Sequence, residues 1–231
     1  MKLKNLGCII FARSNSKRLK KKVLREIGGI PLVLIVFSRV RKVFPKNKIV
    51  IATSKNRFDD NLVKICKKNN IKFFRGNLNN VLQRGIQCCN KFNFDSFMRV
   101  CSDRPFFYYE LANKMKKKFR EGQYDIVTNV FPKTFPKGLT CEFIKFNTLK
   151  KANEKDLTKK EQEHMINYFY KNSKNFSIKN YRSKFGIRYK DLNLSIDNIK
   201  GLNMSEKIFE KNFFNINVPT KTVLKDAKEL F

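Results

Sequence analysis

The feature that most constrains the fold is a fourfold alternation of short apolar runs with amphipathic segments over residues 1–120. Continuous apolar runs of this length are typical of strands that are buried on both faces. Each run is followed by a segment with apolar residues at helical spacing. The alternation predicts an α/β fold, a parallel sheet with helices on both faces. The predicted strands are 6–12, 48–53, 71–74 and 96–101, and the predicted helices are 32–43, 59–69, 81–92 and a lysine-rich helix ending at 120.

The second half of the chain is less regular. It shows neither an internal repeat nor a low-complexity linker. We therefore interpret residues 1–231 as a single domain with an inserted excursion near 132–190. The predicted elements here are strands at 125–130, 139–145 and 192–196, and helices at 159–171 and from 205 onward.

The charge of the chain suggests a polyanionic partner at first sight. Its 51 Lys and Arg outnumber 19 Asp and Glu, for a formal charge of +32. However, most of these cations are lysines spread from Lys2 to Lys228, and they accompany many Asn and Phe, as AT-rich codons would produce. Arginine, the residue that reads bases and phosphates bidentately, is not enriched. A basic nucleic-acid-binding protein is therefore the lesser alternative.

Cysteine and histidine usage excludes several classes of site. The six cysteines form no C-x-x-C motif, and His164 is the only histidine, which argues against zinc sites and Ser-His-Asp chemistry. Unpaired cysteines suit a reducing compartment. The apolar run Leu6–Ala12 continues directly into Arg13, without a signal-peptide cleavage pattern. We therefore expect a cytoplasmic protein without a membrane span.

The segments that follow the predicted strands carry the candidate chemistry. Ligands of open parallel sheets bind at the carboxyl ends of the strands. The polar loop 13–22 supplies hydroxyls and cations that suit a polyphosphate, yet it has neither the P-loop nor the G-x-G-x-x-G pattern. Arg75 follows the third strand, and Asp103 and Asp197 could hold a hard cation. Together they suggest nucleotidyl transfer; solvated loop charges are the alternative.

These segments also form a set of motifs in a defined order. They are Ala12-Arg-x-x-Ser16-x-Arg18-Leu-x-x-Lys22-Val-Leu24, Gly29-x-Pro31-Leu32, Ile49-Val-Ile-Ala-Thr-Ser54, Phe74-Arg-Gly76, Val81-Leu-x-Arg84, Arg99-Val-x-x-Asp103-x-Pro105, Pro136-x-Gly-Leu139 with Glu142, Glu163-His164 and Ser195-Ile-Asp197. The set resembles the sugar-acid cytidylyltransferases, which include CMP-sialate and CMP-Kdo synthetases, and above all their SpsF-type spore-coat polysaccharide branch. The likeness is dense over 6–105 and sparser from 124 to about 205.

The resemblance implies a Rossmann-like, glycosyltransferase A-type three-layer sandwich with a mostly parallel sheet. It also implies transfer of CMP from CTP to a sugar acid, with Mg²⁺ as cofactor and release of pyrophosphate, for polysaccharide or glycan synthesis. A homodimer is implied as well, through the excursion. Carried over by motif, the nucleotide-binding residues are Ala12, Arg13, Ser16, Arg18, Lys22 and Arg75, with Arg13, Lys22 and Asp103 catalytic, Asp103 and Asp197 on the metal, and Glu142, Glu163 and His164 on the sugar.

Two departures from the family pattern keep other functions open. Lys20 and Lys21 replace the proline and glycine of the usual Arg-Leu-Pro-Gly-Lys loop, and Arg104 places a bulky cation beside Asp103. One alternative is a degenerate member that binds nucleotide without turnover. Another is a nucleotidyltransferase that uses a different nucleotide and sugar.

Overall fold

The computed structural model of the protein describes residues 3–16, 18–153, 155–185, 189 and 191–230. Its strands are β1 Leu6–Phe11, β2 Glu26–Ile27, β3 Ile30–Pro31, β4 Ile49–Ser54, β5 Lys72–Gly76, β6 Ser96–Cys101, β7 Ile126–Thr128, β8 Glu142–Lys145 and β9 Ile178–Asn180. Within these residues, β2 and β3 form a separate ribbon, and the other seven strands form one sheet in the order β5-β4-β1-β6-β8-β7-β9.

The central sheet is mostly parallel, as the sequence predicts. β1 pairs in parallel with β4 and β6, and β4 pairs in parallel with β5. β8 runs antiparallel to both of its neighbours, β6 and β7, whereas β7 and β9 are parallel. Of the strands described in this sheet, β8 alone therefore points in the opposite direction, and the carboxyl ends of β1, β4, β5 and β6 share one edge.

Helices cover both faces of this sheet, which confirms the predicted three layers. Cys8 and Ile10 pack into the core on one face, and Ile9 and Phe11 pack into the core on the other. α1, α2, α4, α8 and α9 contribute to the first core, and α3, α5 and α7 to the second. The helices are α1 Leu32–Val40, α2 Asp60–Lys68, α3 Val81–Phe92, α4 Tyr109–Arg120, α5 Phe146–Asn153, α6 Lys159–Glu163, α7 Asn167–Lys171, α8 Ile199–Lys211 and α9 Thr220–Glu229.

The second half of the chain departs from the sequence prediction at several elements. The single helix predicted at 159–171 is wrong, because the chain breaks after α6 and turns Met165 and Ile166 into the core before α7 begins. The strand predicted at 192–196 is also wrong, since Asn193 makes only an isolated bridge to Lys137. α5 and β9 were not predicted, and α8 begins at Ile199, before the expected start at 205.

The segment 132–190 combines several roles in the fold. It supplies β8 and β9 to the central sheet and α5 to α7 to one face. Residues 154, 186–188 and 190 lie outside the described part of the chain. The interpretation of this segment as a sugar-binding and dimerisation excursion stays a prediction. In the described residues, no helix combines the length and the apolar character needed to cross a bilayer.

Candidate active site

A cleft of about 680 Å³ opens at the carboxyl ends of β1 and β6. The loop after β1 lines it with Ala12, Arg13, Ser16, Arg18 and Lys22. Four predicted site residues from other parts of the chain line it as well, namely Asp103, Glu163, His164 and Asp197. The fold therefore gathers nine of the eleven predicted site residues around one cavity, from loops that are distant in sequence.

Lys22 joins the two predicted metal ligands. Its Nζ lies 2.9 Å from Oδ2 of Asp103 and 3.6 Å from Oδ1 of Asp197. The Lys22 side chain is 12% exposed and that of Asp197 is 8% exposed, so these charges interact in a partly desolvated setting. The ammonium group thus sits between two carboxylates that would otherwise repel each other.

Asp197 is the most heavily paired carboxylate of the cleft. It receives hydrogen bonds from Arg18 at 3.1 Å, from Lys137 and from the Ser195 hydroxyl at 3.1 Å. Burial alone would raise the pKa of Asp197, but Lys137, Lys22 and Arg18 lower it below its ordinary value. Asp197 is therefore held as a carboxylate. The sequence analysis did not name Lys137, which lies next to the Pro136-x-Gly-Leu139 motif.

Arg13 and Glu163 connect the loop after β1 to the end of α6. Arg13 Nη2 donates to Glu163 Oε1 at 2.6 Å, and both side chains are about two-fifths exposed. His164, which follows Glu163, is exposed at the same rim. Because the pair is open to solvent, a ligand that enters the cleft can compete for either partner.

Asp59 fixes the start of the loop after β1 by hydrogen bonds. This residue is 1% exposed and accepts hydrogen bonds from the backbone N–H of Ser14 at 2.6 Å and of Ser54 at 3.1 Å, and from the Ser54 hydroxyl. It therefore ties the residue after Arg13 to the carboxyl end of β4. Further along the loop, the buried Leu19 and Val23 hold it against the core.

The structure also shows the contacts of Arg104, the bulky cation that follows Asp103. Its guanidinium donates to the backbone carbonyl of Thr140, and Arg104 is not among the residues that line the cleft. The side chain therefore does not occupy the space between Asp103 and Asp197, where the sequence suggested that it could interfere.

Two predicted site residues do not line the cleft. Arg75, on β5, is held by the carbonyls of Ser54 and Asn56 and by Asp60 at 2.8 Å. Glu142, on β8, is buried behind Arg99. The structure thus brings neither side chain to the cavity, because each is already engaged by neighbouring groups.

Two arginines that the sequence analysis did not assign lie in the cleft instead. Arg84, at the start of α3, is 2% exposed and donates to the carbonyls of Asn77 and Leu78. Arg99, on β6, pairs with Glu142. Both stand inside the motifs that carry the family resemblance, so the signal was present in the sequence without a role attached to it.

Comparisons with known proteins place the chain in a family. The cytidylyltransferase family matches residues 7–223 of the chain. The spore coat polysaccharide biosynthesis protein SpsF of Bacillus subtilis is 29% identical over 210 residues, which cover 88% of this chain and 85% of SpsF.

Solved structures share the fold over nearly the whole chain. A cytidylyltransferase from Leptospira borgpetersenii has a TM-score of 0.90 at 23% identity, over 98% of this chain and 94% of that chain. A CMP:2-keto-3-deoxy-manno-octonic acid synthetase complexed with CTP has a TM-score of 0.70 at 13% identity, over 90% of this chain and 100% of that chain. The family resemblance seen in the motifs is confirmed by the match over residues 7–223: the chain belongs to the cytidylyltransferase family.

Proposed function

We propose that the protein transfers CMP from CTP to a hydroxyl of a sugar acid and releases pyrophosphate. The observation that carries the proposal is the convergence of Arg13, Arg18 and Lys22 with Asp103 and Asp197 in one cleft. Support also comes from SpsF and from the synthetase complexed with CTP, a 2-keto sugar acid enzyme by its name. Synthesis of a surface polysaccharide or glycan is the role that fits SpsF.

Phosphoryl and nucleotidyl transfer depend mainly on positioning and charge neutralisation. In this proposal Arg13, Arg18 and Lys22 bind the triphosphate, and the acceptor hydroxyl attacks the α-phosphate in line with the departing pyrophosphate. Arg13 and Lys22 neutralise the negative charge that moves onto the leaving group. Both already pair with carboxylates of the cleft, so the triphosphate must draw them from Glu163 and Asp103.

The carboxylates of the cleft fit a magnesium ion. Asp103 and Asp197 both lie within 3.6 Å of Lys22 Nζ and are thus close to each other. The described residues hold no group of three ligating side chains, so this is not an all-protein metal cage. Mg²⁺ binds through one or two carboxylates together with substrate phosphates, and two carboxylates facing a triphosphate provide that set. When bound, the ion would neutralise phosphate charge.

The test of the proposal is pyrophosphate release with CTP, Mg²⁺ and a panel of eight- and nine-carbon 2-keto sugar acids. We expect Lys22→Ala to lower kcat/KM by about 10²–10³, the usual cost of a lost transition-state donor. Asp103→Asn should abolish turnover. Lys20→Ala is the matched control, because Lys20 is exposed and does not line the cleft. Thermal unfolding verifies that each variant is folded.

The same assay, extended to other nucleoside triphosphates and to neutral sugars, decides among the alternatives. Activity with another nucleoside triphosphate or with a neutral sugar would replace the proposed substrates. Binding of CTP without pyrophosphate release for any acid would indicate a degenerate member. Unchanged turnover in both the Lys22 and the Asp103 variants would overturn the assignment of the site.

A further inference from the structure

A buried ion cluster lies on the side of the cleft formed by β6 and β8. Arg99 and Glu142 face each other across these strands as directly opposed residues. Arg99 Nη1 lies 3.3 and 3.1 Å from the two carboxylate oxygens of Glu142. The Glu142 side chain is 4% exposed, whereas that of Arg99 is 14% exposed and lines the cleft. Glu142, which does not line the cleft, thus holds the guanidinium of Arg99 in place.

The charges of this cluster do not balance. Arg104 interacts electrostatically with Arg99, with Glu142 and with Asp103, and Asp103 also pairs with Lys22 at 2.9 Å. Three cations thus share the two carboxylates Glu142 and Asp103. Tyr170, which also faces the cluster, cannot supply the missing charge. Burial, followed by the proximity of Glu142, raises the pKa of Tyr170 well above its ordinary value, and its hydroxyl bonds to Thr128. Cations therefore outnumber carboxylates at this wall of the cleft.

The hydrogen bonds of Arg99 are also incomplete. The pair with Glu142 uses Nη1, and Nε is buried with no hydrogen-bond partner among the described residues. A buried donor without a partner is unfavourable, and a buried net charge more so. A guanidinium can donate two parallel hydrogen bonds to one carboxylate, from its Nε–H and from a neighbouring Nη–H. Arg99 is thus suited to bind a further oxyanion.

We propose that Arg99 binds the carboxylate of the acceptor substrate, an inference that rests on the proposed function. The acceptor of the proposed reaction carries a carboxylate, and the planar carboxylate matches the two parallel N–H donors of a guanidinium. The cations of the loop after β1 lie on a different element and pair with Asp103, Asp197 and Glu163. Arg99, on β6, is thus not one of the cations that we assign to the triphosphate.

The experiment compares acids with their uncharged methyl esters in the wild type and in Arg99→Lys. Lysine keeps the positive charge beside Glu142, so the cluster stays folded, but it loses the two-pronged guanidinium. We expect the KM for the acid to rise by about 10- to 100-fold, the cost of a lost charge-assisted hydrogen bond. The KM for CTP should stay within about twofold, and turnover of the ester should not change. Arg41→Lys, at an exposed position outside the cleft, is the control.

Two outcomes would overturn the inference. An unchanged KM for the acid would show that Arg99 does not touch the carboxylate. A parallel rise in the KM for CTP would assign Arg99 to the nucleotide. If the wild type releases no pyrophosphate with any acid, the proposed function fails, and titration calorimetry with the same acids in the presence of CTP decides the inference alone. Binding that weakens in Arg99→Lys supports it, and equal or absent binding refutes it.

Discussion

At the residue scale, Lys21 occupies a backbone conformation that glycine adopts more readily. Its φ is 53° and its ψ is 30°, in the left-handed region, just before the turn that presents Lys22. This is the position at which the family loop usually has glycine. A non-glycine residue in this region costs roughly 1–2 kcal/mol. The departure seen in the sequence therefore places a strained residue directly before Lys22.

Lys21→Gly should raise the free energy of unfolding by up to about 1 kcal/mol, because relief of the strained φ exceeds the added entropy of glycine in the unfolded chain. Lys20→Gly is the matched control. Lys20 is not among the residues of positive φ, so the same change there should lower stability by about 0.5–1 kcal/mol. Urea unfolding measures both. Equal destabilisation by the two variants would contradict the account of Lys21.

The residues of the site were predicted unevenly from the sequence, and the reason is physical. Residues on the loop after β1 and at Asp103 follow predicted strands, so their position at the edge of the sheet could be inferred. Arg75 has the same kind of position, yet Asp60 and two carbonyls hold it away from the cleft. Arg99 points into the cleft from within β6. The sequence pattern does not show which neighbouring group forms the hydrogen bonds and ion pairs of a given guanidinium.

At the scale of elements, Asp59 links the loop after β1 to the end of β4. Burial alone would raise the pKa of Asp59, but hydrogen bonds from the Ser54 hydroxyl and the Ser14 N–H lower it below its ordinary value. A lowered pKa stabilises the folded state above the pKa of the unfolded aspartate, near 4. This stabilisation is lost as the pH falls through the lower pKa of folded Asp59.

Asp59→Asn should therefore lower the free energy of unfolding at pH 7 by about 1–3 kcal/mol, the cost of a poorly satisfied buried group. The difference from the wild type should shrink progressively below about pH 4, as the contribution of the carboxylate is lost toward the lower pKa of folded Asp59. CTP affinity should fall as well, since the loop loses its anchor. Asp156→Asn is the control, because Asp156 is exposed and lies outside the cleft. Urea unfolding from pH 3 to 7 and CTP titration measure these effects. A pH-independent difference would contradict the role of the charge.

Most elements of the first 120 residues could be predicted well because β1, β4 and β6 are largely buried on both faces and α2, α3 and α4 each have one apolar side. α3 and β6 have the predicted bounds. In the second half, burial is decided by contacts that are distant in sequence. β9 is only three residues long and pairs with β7, and α6 ends after a Thr158–Glu161 capping box and five residues. Such short elements carry too little periodicity to be predicted.

At the scale of the whole molecule, the charge of +32 has a different meaning from the one it first suggests. Only a few cations line the cleft, and several of these are paired with carboxylates. The remaining lysines give the molecule a positive field. Such a field attracts anions over a distance set by the Debye length, about 10 Å at 0.1 M salt and 3 Å at 1 M.

This field should affect the capture of anionic substrates more than their conversion. We expect the KM for CTP to rise by about 10-fold or more between 0.05 and 1 M monovalent salt at fixed Mg²⁺, because long-range steering is screened. The kcat should change by less than about twofold, since contacts inside the cleft are partly desolvated and weakly screened. Initial rates of pyrophosphate release over this range measure both constants, and an equimolar series of an uncharged osmolyte controls for viscosity and water activity.

A nucleic-acid-binding protein would behave otherwise: its affinity for single-stranded RNA would be tight at low salt, fall steeply with added salt and survive Asp103→Asn. Tight RNA binding together with a salt-independent KM for CTP would assign the charge to nucleic acid.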